Sequence, residues 1–228
     1  MELFLTSWAV WMPPSAMTPQ DTPDASLPAL TAVPAMTRRR LSKLTKLAFD
    51  VALNNVEPGQ QISTIFASRH GDLHKTLGLL QQLAEQDDIS PSQFALSVHN
   101  AISGQFSIFS QNHADSNAIA AGADSLHYAL LEAAARFRSE PQLQQLLVVY
   151  ADEPVPAPYQ IFCEDPSVPI ALALLLGRDG DKLLFNMQPD AACNASDDQA
   201  LQLLPLLQGN ITQLSIAGHQ RHWLWQRA

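Results

Sequence analysis

The sequence predicts an α/β domain built on a mixed sheet with helices on its faces. Three observations predict it. Strand-like and helix-like segments alternate in the order β, α, β, α, α, β, α, β, with further strands after them. The runs LLVVYAD and IALALLL are continuously apolar, as in strands buried on both faces. The helix-like runs are amphipathic, as helices are when one side covers a sheet.

Each element has a local reason. Residues 2–11 (ELFLTSWAVW) read as a strand, and residues 13–36, rich in Pro, Ser, Thr and Ala, as a surface loop. Thr37 is read as the cap of the helix RRRLSKLTKLAFDVALNN, with Leu41, Leu44, Leu47, Ala48, Val51 and Ala52 on one face and Glu57-Pro58-Gly59 ending it. Residues 62–68 (ISTIFAS) read as a strand, RHGDLHK as a turn with Asp72 as a cap, and TLGLLQQLAEQ as a second amphipathic helix. Ser90-Pro91 opens a short turn. The stretch 97–126, SVHNAISGQFSIFSQNHADSNAIAAGADSL, is the centre of the chain. It reads as a helix bearing Ala101, Ile102, Phe106, Ile108 and Phe109, then a polar loop over 111–117. The small-residue run AIAAGA, 118–123, reads as a strand buried on both faces, and Asp124 and Ser125 occupy the N-cap of the helix LHYALLEAAARF. QLLVVYAD is a strand and EPVPAPYQ a loop. PIALALLLGRD and DKLLFNMQ read as a hairpin turning at Arg178-Asp179-Gly180-Asp181. Residues 189–198 are a loop, DQALQLLPLLQG a helix interrupted at Pro205, and ITQLSIAG and RHWLWQR terminal strands.

Composition narrows the function. The 228 residues form a single domain over 1–228, with 46% hydrophobic and only 15% charged residues. So few charges leave part of the surface to be covered by a partner. The net charge of -9 argues against nucleic-acid binding. The opening MELFLTSWAVWMPP lacks a basic n-region and is too short to span a bilayer, so it is read as a buried strand and not a signal peptide. With no longer apolar segment, no membrane span and a cytoplasmic location are expected. Cys163 and Cys193 show neither metal spacing nor a redox pair.

Four constellations invite chemistry. Arg69-His70-Gly71-Asp72-Leu73-His74 holds two histidines, but a metal needs three or four converging ligands and the sequence supplies no third. It reads as a loop and cap, as do His219 and His222, and no metal or cofactor is expected. Arg38, Arg39, Arg40, Lys43 and Lys46 read as a solvated helix face, the alternative being a docking patch for an acidic partner. Ser125 with His127 or His99 would suit a nucleophile–base pair, yet no G-x-S-x-G surrounds it and a helix cap accounts for it. Gly-rich phosphate loops are absent.

The central stretch resembles the N-terminal half of a β-ketoacyl synthase, a thiolase-fold condensing enzyme. Asn100-Ala101-Ile102-Ser103-Gly104 matches that family's N-x-x-(A/S)-G helix start, and 118–123 matches the strand before its T-A-C-S-S nucleophile turn. Counting from Gly104 puts the family's cysteine at Ala123, or at Asp124 with a one-residue slip, and neither is a thiol. FLTSWAVWMP, MTRRRLSKLTKLAFDVALNN, LLVVYADEP and PIALALLLGRD extend the resemblance over most of residues 1–188. The combination IFASRHGDLHKT, FALSVHNAISG and VVYADEP is more closely similar to short ketosynthase-like chain length factors of aryl-polyene clusters in Gram-negative bacteria.

The resemblance implies a truncated thiolase-like fold, with the chain ending near where the half carrying the catalytic histidines would begin. It implies a catalytically inactive subunit, without cofactor, that forms a heterodimer with a full-length ketosynthase. That pair would elongate an acyl chain on an acyl carrier protein in fatty-acid- or polyketide-type synthesis. The degenerate turn is Ala123, Asp124 and Ser125. The expected pocket wall and partner interface are Asn100, Ile102, Gly104, Phe106, Phe109, Ala118 and Ala120, with Arg38, Arg39, Arg40 and Lys43 as a docking patch for the carrier protein. The competing readings are an acyltransferase or hydrolase using Ser125, and a purely stabilising scaffold.

Overall fold

A computed structural model describes residues 1–13, 27–162, 168–196 and 198–228. Cys163 and part of the expected 13–36 loop lie outside them. The described elements run β1 (Glu2–Trp11), α1 (Ala35–Arg38), α2 (Lys43–Leu53), β2 (Ser63–Ala67), α3 (Leu73–Ala84), α4 (Pro91–Ala95), α5 (Ala101–Ser110), β3 (Ser116–Ile119), α6 (Ser125–Ser139), β4 (Leu146–Asp152), β5 (Ile170–Gly177), β6 (Asp181–Pro189), α7 (Gln199–Leu207), β7 (Gln213–Gly218) and β8 (Arg221–Arg227).

The strands form one mixed sheet in the order β3-β2-β4-β5-β1-β6-β8-β7. β3, β2 and β4 are parallel, and every other pairing is antiparallel. The apolar runs have two faces to bury. Leu146, Val148 and Tyr150 of β4 join Leu172, Leu174 and Leu176 of β5 in a core shared with α6 and α7. The alternate residues Leu147, Val149, Ala151, Ala171, Ala173 and Leu175 face α2 and α5. Period-two alternation thus serves two apolar layers at once. The predicted face of α2 is buried from Leu44 to Ala52, with Leu41 just before it.

Four readings are corrected. The main helix starts at Lys43 and not after Thr37: Ser42 Oγ accepts the Thr45 amide at 3.1 Å, while Thr37 sits inside the single-turn α1. Arg38, Arg39, Arg40 and Lys43 therefore do not share a helix. β3 is an edge strand beginning at Ser116, exposed or half-exposed along its length, because among the described residues only β2 pairs with it. Ala120 to Ala123 form the turn beyond it and not a buried strand. Pro205 lies within α7, where burial of Leu203, Leu204, Leu206 and Leu207 outweighs its one missing amide bond.

The fourth correction concerns the expected hairpin. β5 and β6 do not pair; β1 lies between them, antiparallel to both. Residues 178–180 carry the chain across β1 at Leu5 and Thr6, where the register of β1 shifts. Gly180 has φ +124°, and a Cβ there would collide with the Leu5 carbonyl.

Candidate functional site

The connection from β3 to α6 lies at the end of the parallel strands, where an α/β sheet commonly places its site. Ser125 Oγ closes this turn. It accepts the Ala121 amide at 2.9 Å and donates to the Gly122 carbonyl at 2.7 Å, and the residue is completely buried. Both His127 nitrogens are engaged elsewhere, and His99 Nε2 meets the Ile119 carbonyl at 3.1 Å. No nucleophile–base pair forms at Ser125.

Asp124 occupies the N-cap of α6 without capping it through its side chain. Its buried carboxylate is instead the hub of donors from the last third of the chain. Oδ1 accepts Gln199 Nε2 at 2.7 Å and Trp223 Nε1 at 3.0 Å, while Oδ2 accepts the His219 amide at 3.0 Å. Arg221 Nε stands 3.7 Å from Oδ2. Gly218 makes room for this arrangement, since a Cβ there would lie 2.7 Å from Asp124 Oδ1 and 2.5 Å from Trp223 Nε1.

His127 completes the network. Its ring stacks on Trp223 at 4.8 Å and 11°. Trp225 Nε1 donates to its Nε2 at 3.1 Å, so Nδ1 carries the proton and meets Gln199 Oε1 at 2.6 Å. Burial is the main influence on this histidine and lowers its pKa to about 4, opposed by the Gln199 bond and the Asp124 charge. The ring is neutral at pH 7 and its nitrogens are occupied, so it is a packing and hydrogen-bonding residue.

A cavity of about 650 Å³ opens beside the turn. Ala121 to Asp124 meet Arg69, Tyr128, Asn194, Ala195, His219 and Arg221 there. The side chain at 123, one of the two positions aligned with the family's cysteine, is a methyl group.

The three motifs that carried the resemblance converge beside this turn. Asp152 Oδ1 at the end of β4 accepts Ser68 Oγ at 2.8 Å and the Arg69 amide at 2.9 Å, and Tyr150 Oη donates to Oδ2 at 2.5 Å. Burial raises the pKa of Asp152 and carries Tyr150 well above its ordinary range. His74 Nε2 bonds the Pro154 carbonyl at 2.9 Å, and Asp72 caps α3 as expected.

The expected interface residues divide into two groups. Asn100, Gly104 and Ala120 are exposed, while Ala118 and Phe109 are half-exposed. Ile102 and Phe106 are buried, with Phe106 between Phe49 and Phe66 at centroid distances of 5.5 Å each. Phe106 is thus a core residue of this chain and does not itself reach a neighbour's surface. Ile108, not among the expected residues, is 82% exposed. With Asn100 and Gly104 it follows the i, i+4, i+8 spacing that puts three residues on one helix face, the signal that could have found it. Among the basic residues, Arg38 is held by the Ala29 and Leu30 carbonyls, while Arg39, Arg40 and Lys43 are exposed.

Sequence spacing also missed a grouping that the sheet creates. Asp190, Cys193 and His222 bring one oxygen, one sulfur and one nitrogen within 4.8 Å of one another.

The family model described as β-ketoacyl synthase, N-terminal domain, matches residues 8–226. A chain of the ketosynthase ApeO in complex with its chain length factor ApeC, from Xenorhabdus doucetiae, superposes with a TM-score of 0.85. That match has 30% identity and covers 100% of both chains. The ishigamide ketosynthase/chain length factor gives a TM-score of 0.54 at 15% identity, over 76% of this chain and 55% of that one. A β-ketoacyl synthase from Burkholderia phymatum gives 0.59 at 12% identity, over 92% and 71%. The last two show likeness of fold alone. No curated protein matches the sequence.

Proposed function

The chain belongs to the β-ketoacyl synthase family, and from that premise we propose that it is a catalytically silent, chain-length-factor-like subunit. The observation that carries the reading is the state of the turn. Residues 123–125 supply a methyl group, a carboxylate bonded inward and a buried hydroxyl, so these three positions offer the cavity no thiol and no free hydroxyl. An acyl thioester needs such a nucleophile. In this reading a full-length ketosynthase supplies the chemistry within a heterodimer. That pair elongates an acyl chain delivered by an acyl carrier protein, in aryl-polyene synthesis as the sequence resemblance implies. The ApeO–ApeC complex supports the pairing as a precedent of the same fold.

The open edge supports association. Among the described residues no strand pairs with the outer side of β3, and the face of α5 beside it carries Asn100, Gly104 and Ile108. A Cβ on Gly104 would meet nothing within 4 Å among the described residues. A glycine in mid-helix costs roughly 1 kcal/mol relative to alanine, so its place fits close approach by a partner. Exposed Ala120 and half-exposed Ala118 extend that surface, and Phe109 borders it. Ile102 and Phe106 would influence an acyl pocket through the packing of α5. Arg39, Arg40 and Lys43 are the part of the basic patch free to meet an acidic carrier protein. Among the described residues no helix is long and apolar enough to cross a membrane, and a cytoplasmic location belongs to the same proposal.

Co-expression with a full-length ketosynthase of the same organism tests the reading by size-exclusion chromatography. A one-to-one complex is expected, with the chain aggregating when expressed alone. A monodisperse monomer that ignores the ketosynthase would overturn it. Incubation with acyl thioesters separates the enzymatic alternative, because mass spectrometry should find no adduct at Ser125. An Ala123→Cys variant should accept alkylating reagents through the cavity without gaining condensing activity.

A further inference from the structure

We propose that Asp190, Cys193 and His222 form a site for a thiophilic divalent cation, zinc(II) by its donor set. The three residues come from two segments that the sheet brings together. Asp190 and Cys193 lie in the loop after β6, and His222 lies near the start of β8, opposite Gln188 in the register. His222 Nε2 stands 3.1 Å from Asp190 Oδ2, and the thiol sulfur lies within 4.8 Å of both ligand atoms. Zinc–nitrogen and zinc–oxygen bonds of about 2.0–2.2 Å and zinc–sulfur bonds of about 2.3 Å set tetrahedral ligand atoms about 3.2–3.7 Å apart. The imidazole and carboxylate, 3.1 Å apart, stand close to that spacing, and the Cys193 sulfur, within 4.8 Å of both, is the third donor.

The backbone is built to hold these donors still. The Asp190 amide donates to the Gln220 carbonyl, the Gln220 amide to the Cys193 carbonyl, and the Cys193 amide to the Asp190 carbonyl, each at 3.0 Å. That ring of bonds fastens the loop to the β7–β8 turn. Asp190 Oδ1 accepts the Ala192 amide at 3.0 Å, which orients Oδ2 toward His222. Such outer contacts fix the direction of a metal-binding carboxylate. The thiolate and imidazole donors disfavour magnesium and calcium, which seek all-oxygen shells. Half-exposure of the side chains leaves a fourth position for water. The bland alternative, an exposed ion pair with a neighbouring thiol, predicts no thiolate bonding to a metal.

The site has a consequence for the cavity at the degenerate turn. Asn194 and Ala195, just beyond Cys193, wall that cavity together with His219 of the β7–β8 turn and Arg221 at the start of β8. A bound zinc ion would clamp those two segments together.

Cobalt(II) substitution tests the proposal on the full chain, purified with its ketosynthase if it is insoluble alone. One equivalent of cobalt should give intense tetrahedral visible bands and a thiolate-to-cobalt charge-transfer band, both displaced by zinc. Cys193→Ser should remove the charge-transfer band, and Cys163→Ser should leave it unchanged. Asp190→Asn and His222→Ala should each weaken zinc binding by about 100-fold or more in competition with a chromophoric chelator, beyond the roughly 10–100-fold typical of second-shell losses. A weak octahedral spectrum, a charge-transfer band that survives Cys193→Ser, or zinc affinity unaffected by His222→Ala would each overturn it.

Discussion

The turn before α6 and the edge beside it are neighbours in sequence and opposites in chemistry. At the turn, Asp124, Ser125 and His127 are buried and each polar atom has a partner in the chain. At the edge, β3 is unpaired on one side among the described residues, and α5 exposes a glycine and an isoleucine. A saturated network resists change and offers nothing to a substrate, whereas an unsatisfied edge is competent to bind. The contrast fits the proposed reading, in which the turn is chemically silent and the margin of the chain is the part that binds.

Substitutions on the two sides should separate by size and by kind. Asp124→Ala leaves three donors facing a void and should cost about 3–5 kcal/mol, read as a fall in the urea midpoint. A loss below about 1 kcal/mol would show that the turn is not saturated. His127 gives a pH signature nearly as large. Its pKa in the folded chain, about 4, lies below the ordinary 6.5, so the unfolded chain binds more protons between those values. That contribution is fully present above pH 6.5 and is lost as the pH falls toward about 4, by about 3 kcal/mol in total. Stability measured from pH 7 to 4 should show this slope, and His127→Gln should flatten it.

On the edge, Gly104→Ala should raise the stability of the chain by about 0.5–1 kcal/mol while weakening its complex with the ketosynthase. Stabilisation without loss of binding would remove Gly104 from the interface. The smallest effect on folding belongs to Ile108→Ala, which should leave stability within about 0.5 kcal/mol. It should still lower the yield of co-purified complex, and an unchanged yield would place the contact elsewhere.

Much of this was legible in the sequence. The strands β1, β4, β5, β7 and β8, the buried face of α2 and the Asp72 cap all follow from local patterns that act within a few residues. The absence of a thiol at 123 and 124 was plain from the alignment of motifs. What stayed hidden depends on distant pairing. Arg178 to Asp181 has the composition of a hairpin turn, and nothing local reveals that β1 inserts between the flanking strands. Asp124 reads as a cap because its true partners, Gln199, His219 and Trp223, lie 75 to 99 residues further on. Phe106 fits either face of an apolar helix until Phe49 and Phe66 close around it. Cys193 and His222 become neighbours only through the β6–β8 register.

The insertion of β1 also orders events in time. Phe4 of β1 pairs with Gly177 on one side and Lys182 on the other, so most of the chain leaves the ribosome before either edge of this strand is satisfied. During synthesis β1 is an apolar strand with two free edges, a state that invites mispairing and chaperone capture. The crossing at Gly180 packs on Leu5, so its formation requires β1 in place, and the long sequence separation of these pairings favours slow folding.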